Sequence, residues 1–410
     1  MNYLSDRIMQ MSASETLAMT QLARELKAQG RDVISLSIGE PDFNTPEVIK
    51  EAGKKAIDDN FTHYPPVPGY ADLREAISKK FKRDNNLDYK PEQIVVSTGG
   101  KQAIYQAVMA TVNPGDEVII PTPFWVSYKE IVKVAGGRCV YVKTKLENDF
   151  KVTAQQLEEA ITEKTKLIMF SSPSNPTGML YTHDELKAIA DVVARHKEIL
   201  VMSDEIYEHI NFVGKHESIA QFNEIYDQVI TVNGVAKGFA MTGWRIGFIG
   251  APAPIAKACE KLQGQVTSAT CSIAQKAALK AMQLNPAESE DIKFMRNKFL
   301  ERRDLMYKLL QTVPDFEVRL PQGAFYFFPD VSALYGKHVP ADSQFAATYK
   351  KTAIENSTDL CMYLLYDANV ALVQGSAFGD DNCIRLSYAT SEANLKEACR
   401  RIKAAVEAMK

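Results

Sequence analysis

The chain has 410 residues, of which 46% are hydrophobic and 24% charged, with a formal net charge of -3 and a pI near 6.2. This length exceeds one simple core and indicates about two or three domains or subdomains, and the composition is that of an ordinary globular protein. The charge balance leaves no footprint for a nucleic-acid partner. No apolar run approaches the ~18 residues of a membrane span, and Asp6, Glu15 and Glu25 break up any leader-like stretch. The 6 cysteines show no Cys-x-x-Cys pair and no His at metal-ligand spacing, so reduced thiols, no metal site and a cytoplasmic location are expected.

Leu17, Leu22 and Leu26 lie near helical spacing and Gly30 offers a stop, so residues 15–29 are expected to form an amphipathic helix. Val33 to Ile38 reads as a short strand ending at Gly39-Glu40-Pro41-Asp42-Phe43, either a plain turn or one whose Gly39 N–H meets a ligand carboxylate. Residues 61–69 are too rich in proline for a helix or central strand and present Tyr64 from a stiff loop able to reach another subunit. Leu73, Ile77 and Phe81 mark one helix face. After a strand at Ile94–Ser97, Thr98-Gly99-Gly100-Lys101-Gln102 opens a helix carrying Ile104, Val108 and Met109, and free N–H groups at such a start can bind phosphate.

Val118–Ile120 is a strand ahead of Trp125, a residue suited to stacking on an aromatic ligand or to core packing. Leu167–Phe170 precedes a rigid turn over 171–178 that fixes Asn175. Thr182-His183-Asp184-Glu185 is a capping box for the helix with Leu186, Ile189 and Val193. The apolar run Ile199–Met202 reads as a buried parallel strand. It delivers Asp204 and Tyr207 at its carboxyl end, where ligands bind in open α/β sheets. Val229–Val232 is broken by Asn233-Gly234 just before Lys237, and Arg245 follows between Gly243 and Gly247 ahead of a strand at Ile246–Ile249. An amine suited to Schiff-base chemistry and a guanidinium suited to phosphate thus lie close together. Arg296, Arg302 and Arg303 look like a solvated helix face. The runs 316–320, 323–328, 370–373 and 383–388 suit strands of a smaller α+β unit, with Arg385 and Ser387 on the face opposite Ile384, Leu386 and Tyr388. A helix from about 391 closes the chain.

Taken in order, these segments resemble the fold-type I pyridoxal phosphate enzymes, and among them the class I aminotransferases of the bacterial aspartate aminotransferase branch. The resemblance is carried by Gly-Glu-Pro-Asp-Phe at 39, Gly-Gly-Lys-Gln at 99, Trp-Val-Ser-Tyr at 125, Asn-Pro-Thr-Gly at 175, Ser-Asp-Glu-Ile-Tyr-Glu-His at 203, Asn-Gly-x-Ala-Lys at 233, Met-Thr-Gly-Trp-Arg-Ile-Gly at 241 and Arg-Leu-Ser-Tyr-Ala-Thr-Ser at 385. It implies an α/β fold with a mostly parallel central sheet flanked by helices. The large cofactor-binding domain would cover 46–297, and a smaller α+β domain would combine 1–45 with 298–410. It also implies a homodimer with its active site at the subunit interface. By the same resemblance, Lys237 bonds pyridoxal 5'-phosphate covalently and shuttles the proton, Asp204 faces the pyridine nitrogen, and Tyr207 and Asn175 bind the ring's phenolic oxygen. Trp125 stacks on the ring, and Gly99, Gly100, Lys101 and Arg245 hold the phosphate, joined by Tyr64 from the other subunit. Arg385 would clamp the substrate α-carboxylate, with Gly39, Asn175 and Trp125 beside it.

The expected reaction is transfer of the amino group from L-aspartate to 2-oxoglutarate. Alternatives are an aromatic, broad-specificity or prephenate aminotransferase, or a C–S lyase. A pyridoxal phosphate sensor fused to a DNA-binding domain and a nucleotide-binding dehydrogenase fit less well, because no DNA-binding extension and no Gly-x-Gly-x-x-Gly after a strand is present. Three positions depart from relatives. Gly234 stands where many have a phosphate-binding Ser, and residues 265–268 hold no arginine for a distal carboxylate, so Lys101 is the expected substitute. Ser12 occupies a position that is basic in relatives accepting prephenate, which argues against that substrate.

Overall fold

The computed structural model describes residues 3–410. The chain opens with α1 (Asp6–Met9) and α2 (Glu15–Ala28), then a short strand β1 (Ile34–Ser35). Helix α2 stands where periodicity puts it, but it buries Met19, Ala23 and Leu26 and leaves Leu17 exposed. The strand is shorter than the run 33–38 because Ser37, Ile38 and Gly39 leave it to line a cavity.

Next come α3 (Glu47–Asp58), α4 (Ala71–Lys80), a π-helical turn over Phe81–Asn85, and then β2 (Ile94–Ser97), α5 (Gly100–Thr111), β3 (Glu117–Thr122), α6 (Ser127–Val134) and β4 (Arg138–Lys143). The alternation continues through α7 (Ala154–Ala160), β5 (Thr165–Ser171), α8 (His183–Arg195), β6 (Leu200–Asp204), β7 (Val229–Gly234) and β8 (Gly247–Gly250). These strands form a 7-stranded sheet in the order β2-β8-β7-β6-β5-β3-β4, parallel except for β8, which runs against both neighbours. Helices cover both faces, so every residue of β2, β3, β7 and β8 is buried. Strand β4 escaped the sequence reading. It is the sheet edge, paired only with β3, and its Arg138, Tyr141 and Lys143 face solvent.

Helices α9 (Ala253–Val266), α10 (Ser272–Gln283) and α11 (Glu290–Leu310) lead to β9 (Tyr326–Phe327), α12 (Gln344–Tyr349), α13 (Ser357–Asp367), β10 (Val370–Ala371), β11 (Val373–Gln374), β12 (Ile384–Ser387) and α14 (Glu392–Glu407). Strands β11, β12 and β9 form an antiparallel sheet, and β1 pairs with β10 in parallel. This is the fold-type I arrangement, with the N-terminal strand joined to the C-terminal unit. Residues 316–320 form no strand, only a bridge between Glu317 and Asp330. One core runs from Met19, Leu26 and Leu36 through Phe325 and Leu386 to Ile402, separate from those on the two faces of the large sheet. Tyr207 and Ile210 reach into it from the large-sheet side.

The arginines of α11 correct the expectation of a solvated face. Arg302 and Arg303 are buried; Arg302 forms a bidentate pair with Asp42 at 2.6 and 2.9 Å and lies over the Phe43 ring, while Arg303 reaches the Pro321 carbonyl. Arg296 donates to the Asn211 carbonyl at 2.8 Å. They staple the 40–43 turn and the 321–323 loop to α11. Among the described residues no helix is long and apolar enough to cross a membrane.

Candidate active site

A cavity of about 430 Å³ opens where β6 and β7 end and α5 begins, closed on the far side by residues 37–40 and Arg385. Asp204 is the last residue of β6 and lies buried there. Asn175 follows β5, Lys237 follows β7, and Gly100 and Lys101 open α5. Trp125, Tyr207, Arg245 and Gly39 also line the cavity, whereas Tyr64 stands elsewhere with 96% of its surface exposed.

Each side chain is held. Tyr128 Oη donates to Asp204 Oδ2 at 2.9 Å, and the Ile206 N–H donates to Oδ1 at 3.3 Å. Burial nevertheless raises the Asp204 carboxyl to about 6, with these two hydrogen bonds opposing the rise. Burial lowers the Lys237 amine to about 8, with Glu40 acting the other way and Arg385 and Arg245 adding to the drop. Its Nζ donates to the Gly39 carbonyl at 2.5 Å. Tyr207 and Tyr326 share a hydroxyl hydrogen bond of 2.7 Å.

Arg385 projects from β12 on the face the alternation assigns to it. Its guanidinium lies between the rings of Tyr326 and Phe378, 4.6 and 4.9 Å from their centroids. It donates to Asn175 Oδ1 at 3.1 Å and to the Ser37 carbonyl at 2.6 Å, leaving Nε buried without a partner. Lys101 Nζ, which also lines the cavity, stands 5.0 Å from the Trp125 ring centroid, and that indole meets Tyr128 edge-on. Burial and the Arg245 charge lower the Lys101 amine.

The α5 start is a cradle. Gly99 has φ 82°, and a Cβ there would strike the Arg245 guanidinium; a Cβ on Gly247 would strike the Gly100 nitrogen. Arg245 itself holds φ 56°, a strained conformation for a non-glycine residue, with Nη1 donating to the Thr242 carbonyl at 2.8 Å. Among the described residues Lys101, Lys237, Arg245 and Arg385 have no ion-pair partner within 4.0 Å, and the only carboxylates lining the cavity are Glu40 and Asp204. Such an excess of positive charge suits a dianion at one end and a carboxylate at the other.

Residues 31–402 match the model of the family described as aminotransferase class I and II. The chain belongs to this family. The aminotransferase is 45% identical over 406 residues to the aspartate/prephenate aminotransferase of Cereibacter sphaeroides, covering 98% of each chain. Its fold matches the aspartate aminotransferase of Rhizobium meliloti with a TM-score of 0.94, 40% identity and 100% of both chains covered. It also matches the Thermus thermophilus aspartate aminotransferase with maleate at a TM-score of 0.91 and 38% identity, covering 99% of this chain and 100% of that one.

Membership of the family implies pyridoxal phosphate as cofactor, and the residues present fit it. The Gly99–Arg245 cradle has no room for a side chain, burial lowers the Lys237 amine to about 8 and so eases loss of its proton, and the buried Arg385 Nε has no partner among the described residues. Sequence reasoning missed Tyr128, Tyr326 and Glu40. Tyr128 and Tyr326 meet their partners only through the fold, 76 and 119 residues away along the chain. Glu40 was quoted as part of a turn, and only its place beside Lys237 and Thr242 gives it a charge to act on.

Proposed function

We propose that this aminotransferase moves the amino group of L-aspartate to 2-oxoglutarate, giving oxaloacetate and L-glutamate in two half-reactions. The observation that carries this reading is that Arg385 and Lys101, two cations without an ion-pair partner among the described residues, line one cavity. A substrate with two carboxylates satisfies both, and the Thermus thermophilus enzyme binds maleate, a dicarboxylate. Bound pyridoxal phosphate supplies an aldehyde carbon for the amino group and a ring that takes up the electrons released at Cα.

The chain's residues do the rest. Gly99, Gly100 and Arg245 hold the phosphate, assisted by Tyr64 of a second copy, in a cytoplasmic homodimer. Asp204 in its ionised form faces the pyridine nitrogen, steadied by the Tyr128 hydroxyl. Tyr207 and Asn175 would hold the ring's phenolic oxygen through hydrogen bonds that favour its anionic form. Trp125 covers one ring face. Arg385, with Asn175 and the 37–39 segment, would hold the substrate α-carboxylate, and Lys237 Nζ would be the base that takes the Cα proton. The cores on the two faces of the large sheet draw on 46–297, whereas the third draws on 1–45 and 298–410 with Tyr207 and Ile210 added, which supports a large domain over 46–297 and a smaller one from 1–45 and 298–410.

Single-turnover mixing with L-aspartate, L-phenylalanine and L-alanine tests the substrate. Fast loss of the visible absorbance with aspartate alone is expected, and Lys101→Ala should slow that reaction about tenfold or more, the loss of one charge-assisted contact. Equal rates with phenylalanine would replace this reading by a broad-specificity one. The name of the Cereibacter relative makes prephenate the second acceptor to assay.

A further inference from the structure

Behind the turn that carries Asp204 and Tyr207 lies a second group of charges that the reaction does not use. Helix α4 ends at Lys80, and the π-helical turn after it brings Asn85 alongside. Lys80 Nζ donates to Asn85 Oδ1 at 2.7 Å and pairs with Glu208, while Asn85 Nδ2 donates to the other Glu208 oxygen at 2.8 Å. Lys80 is 1% exposed and Glu208 5%. Three residues earlier, fully buried Glu205 accepts from Ser203 Oγ at 2.9 Å and Ser218 Oγ at 2.7 Å and meets His216 Nε2 at 3.0 Å. Glu205 and Glu208 take no part in lining the cavity that Asp204 and Tyr207 line.

The charges balance. Burial opposes ionisation of Glu208, yet Lys80 with His209 and His216 holds its carboxyl well below the ordinary range. Burial likewise opposes a charge on His216, and Glu205 and Glu208 outweigh it, raising the imidazole; His209 is lowered by burial. The nearest ligand atoms of Glu205, Glu208 and His216 lie within 4.8 Å of one another, a spacing that would suit a metal ion, but the Lys80 ammonium is the cation seated there. The turn also abuts the lysine loop: a Cβ on Gly238 would lie 2.9 Å from His209 Cβ, and the His209 ring packs edge-on against Phe239 with centroids 5.4 Å apart.

We propose that Lys80, Asn85 and Glu208 are positioning residues, a buried strut that fixes the 204–209 turn and through it Asp204, Tyr207 and the loop of Lys237. For stability alone a buried ion pair has little advantage over apolar side chains of similar volume. What this one adds is direction: two polar contacts on one carboxylate, tied to each other by the Lys80–Asn85 bond and made from a helix end that touches no substrate. The proposal rests on the roles given above to Asp204, Tyr207 and Lys237.

The test compares purified holoenzymes. Lys80→Met/Glu208→Gln leaves no unpaired charge, so direct electrostatic effects on the site cancel and changes in the site report geometry. Its melting temperature should stay close to that of the parent. The pH midpoint of its visible absorbance should rise by about half a unit as Tyr207 loosens. Its kcat should fall about fivefold with little change in KM, as for an interaction used in the transition state. Parent-like midpoint and kcat in this variant overturn the proposal. Should it not fold, Asn85→Ala keeps both charges and is expected to move the midpoint the same way; an unchanged midpoint there overturns the proposal equally. Failure of the underlying site reading is distinguishable, because the parent holoenzyme would then show no pH-dependent visible absorbance at all.

Discussion

Burial presses Asp204 and Lys237 in the same electrostatic direction, each towards its neutral form. For Asp204 the sign is definite. Its folded value of about 6 lies above the ordinary 3.8 of an aspartate, so the stability it contributes is present in full below 3.8 and lost as pH rises through about 6. At neutral pH the ionised carboxylate then costs on the order of 3 kcal/mol in the cofactor-free protein. Cofactor-free Asp204→Asn should melt above the parent at pH 7, with the gap closing below pH 4, while the loaded variant loses about 10²-fold or more in kcat. A variant melting below the parent at pH 7 would contradict this. Lys237→Ala should abolish the pH-dependent visible absorbance; persistence of that band would remove the lysine from its role. Both residues were legible because each follows a β-branched or apolar run and a strand exit. Tyr128 was not, since a tyrosine on a helix face gives no sign of which carboxylate the fold will set against it.

At the scale of elements, legibility followed the strength of local signals. Thr182 caps α8 by accepting from the Glu185 N–H, with Glu185 returning the bond, as its four-residue pattern foretells. Thr182→Ala should therefore cost about 1 kcal/mol in urea unfolding with activity unchanged. The charges of α11 misled because a sequence pattern records that arginines recur, not that Asp42 and Phe43 wait for one of them. Arg302→Ala removes a bidentate pair and a stacked ring, so it should destabilise by about 2 kcal/mol. It should also raise KM for aspartate, because Asp42 anchors the turn that follows Gly39. Unchanged thermal melting and KM would show that the staple does not support the turn. The strand missed at β4 has the same origin: half of it faces water, so its run of apolar residues is interrupted.

On the scale of the molecule, the proposed homodimer explains a tyrosine with 96% of its surface exposed on a stiff proline-rich loop. Dilution that separates the subunits, followed by sedimentation, should abolish activity and weaken cofactor retention. Tyr64→Phe should weaken cofactor retention alone, without changing the oligomer. Activity that persists in a verified monomer would end the shared-site reading. The pairing of β2 with the reversed strand β8 has a consequence for biosynthesis. Ser97 and Gly247 meet across 150 residues of chain, so the two sides of the proposed phosphate cradle leave the ribosome far apart in time. Contacts of such separation form late, and Arg385 emerges later still. A nascent chain that ends before β8 therefore has a glycine-rich helix start but nothing to close it, and the proposed cofactor site is completed only once β8 has emerged.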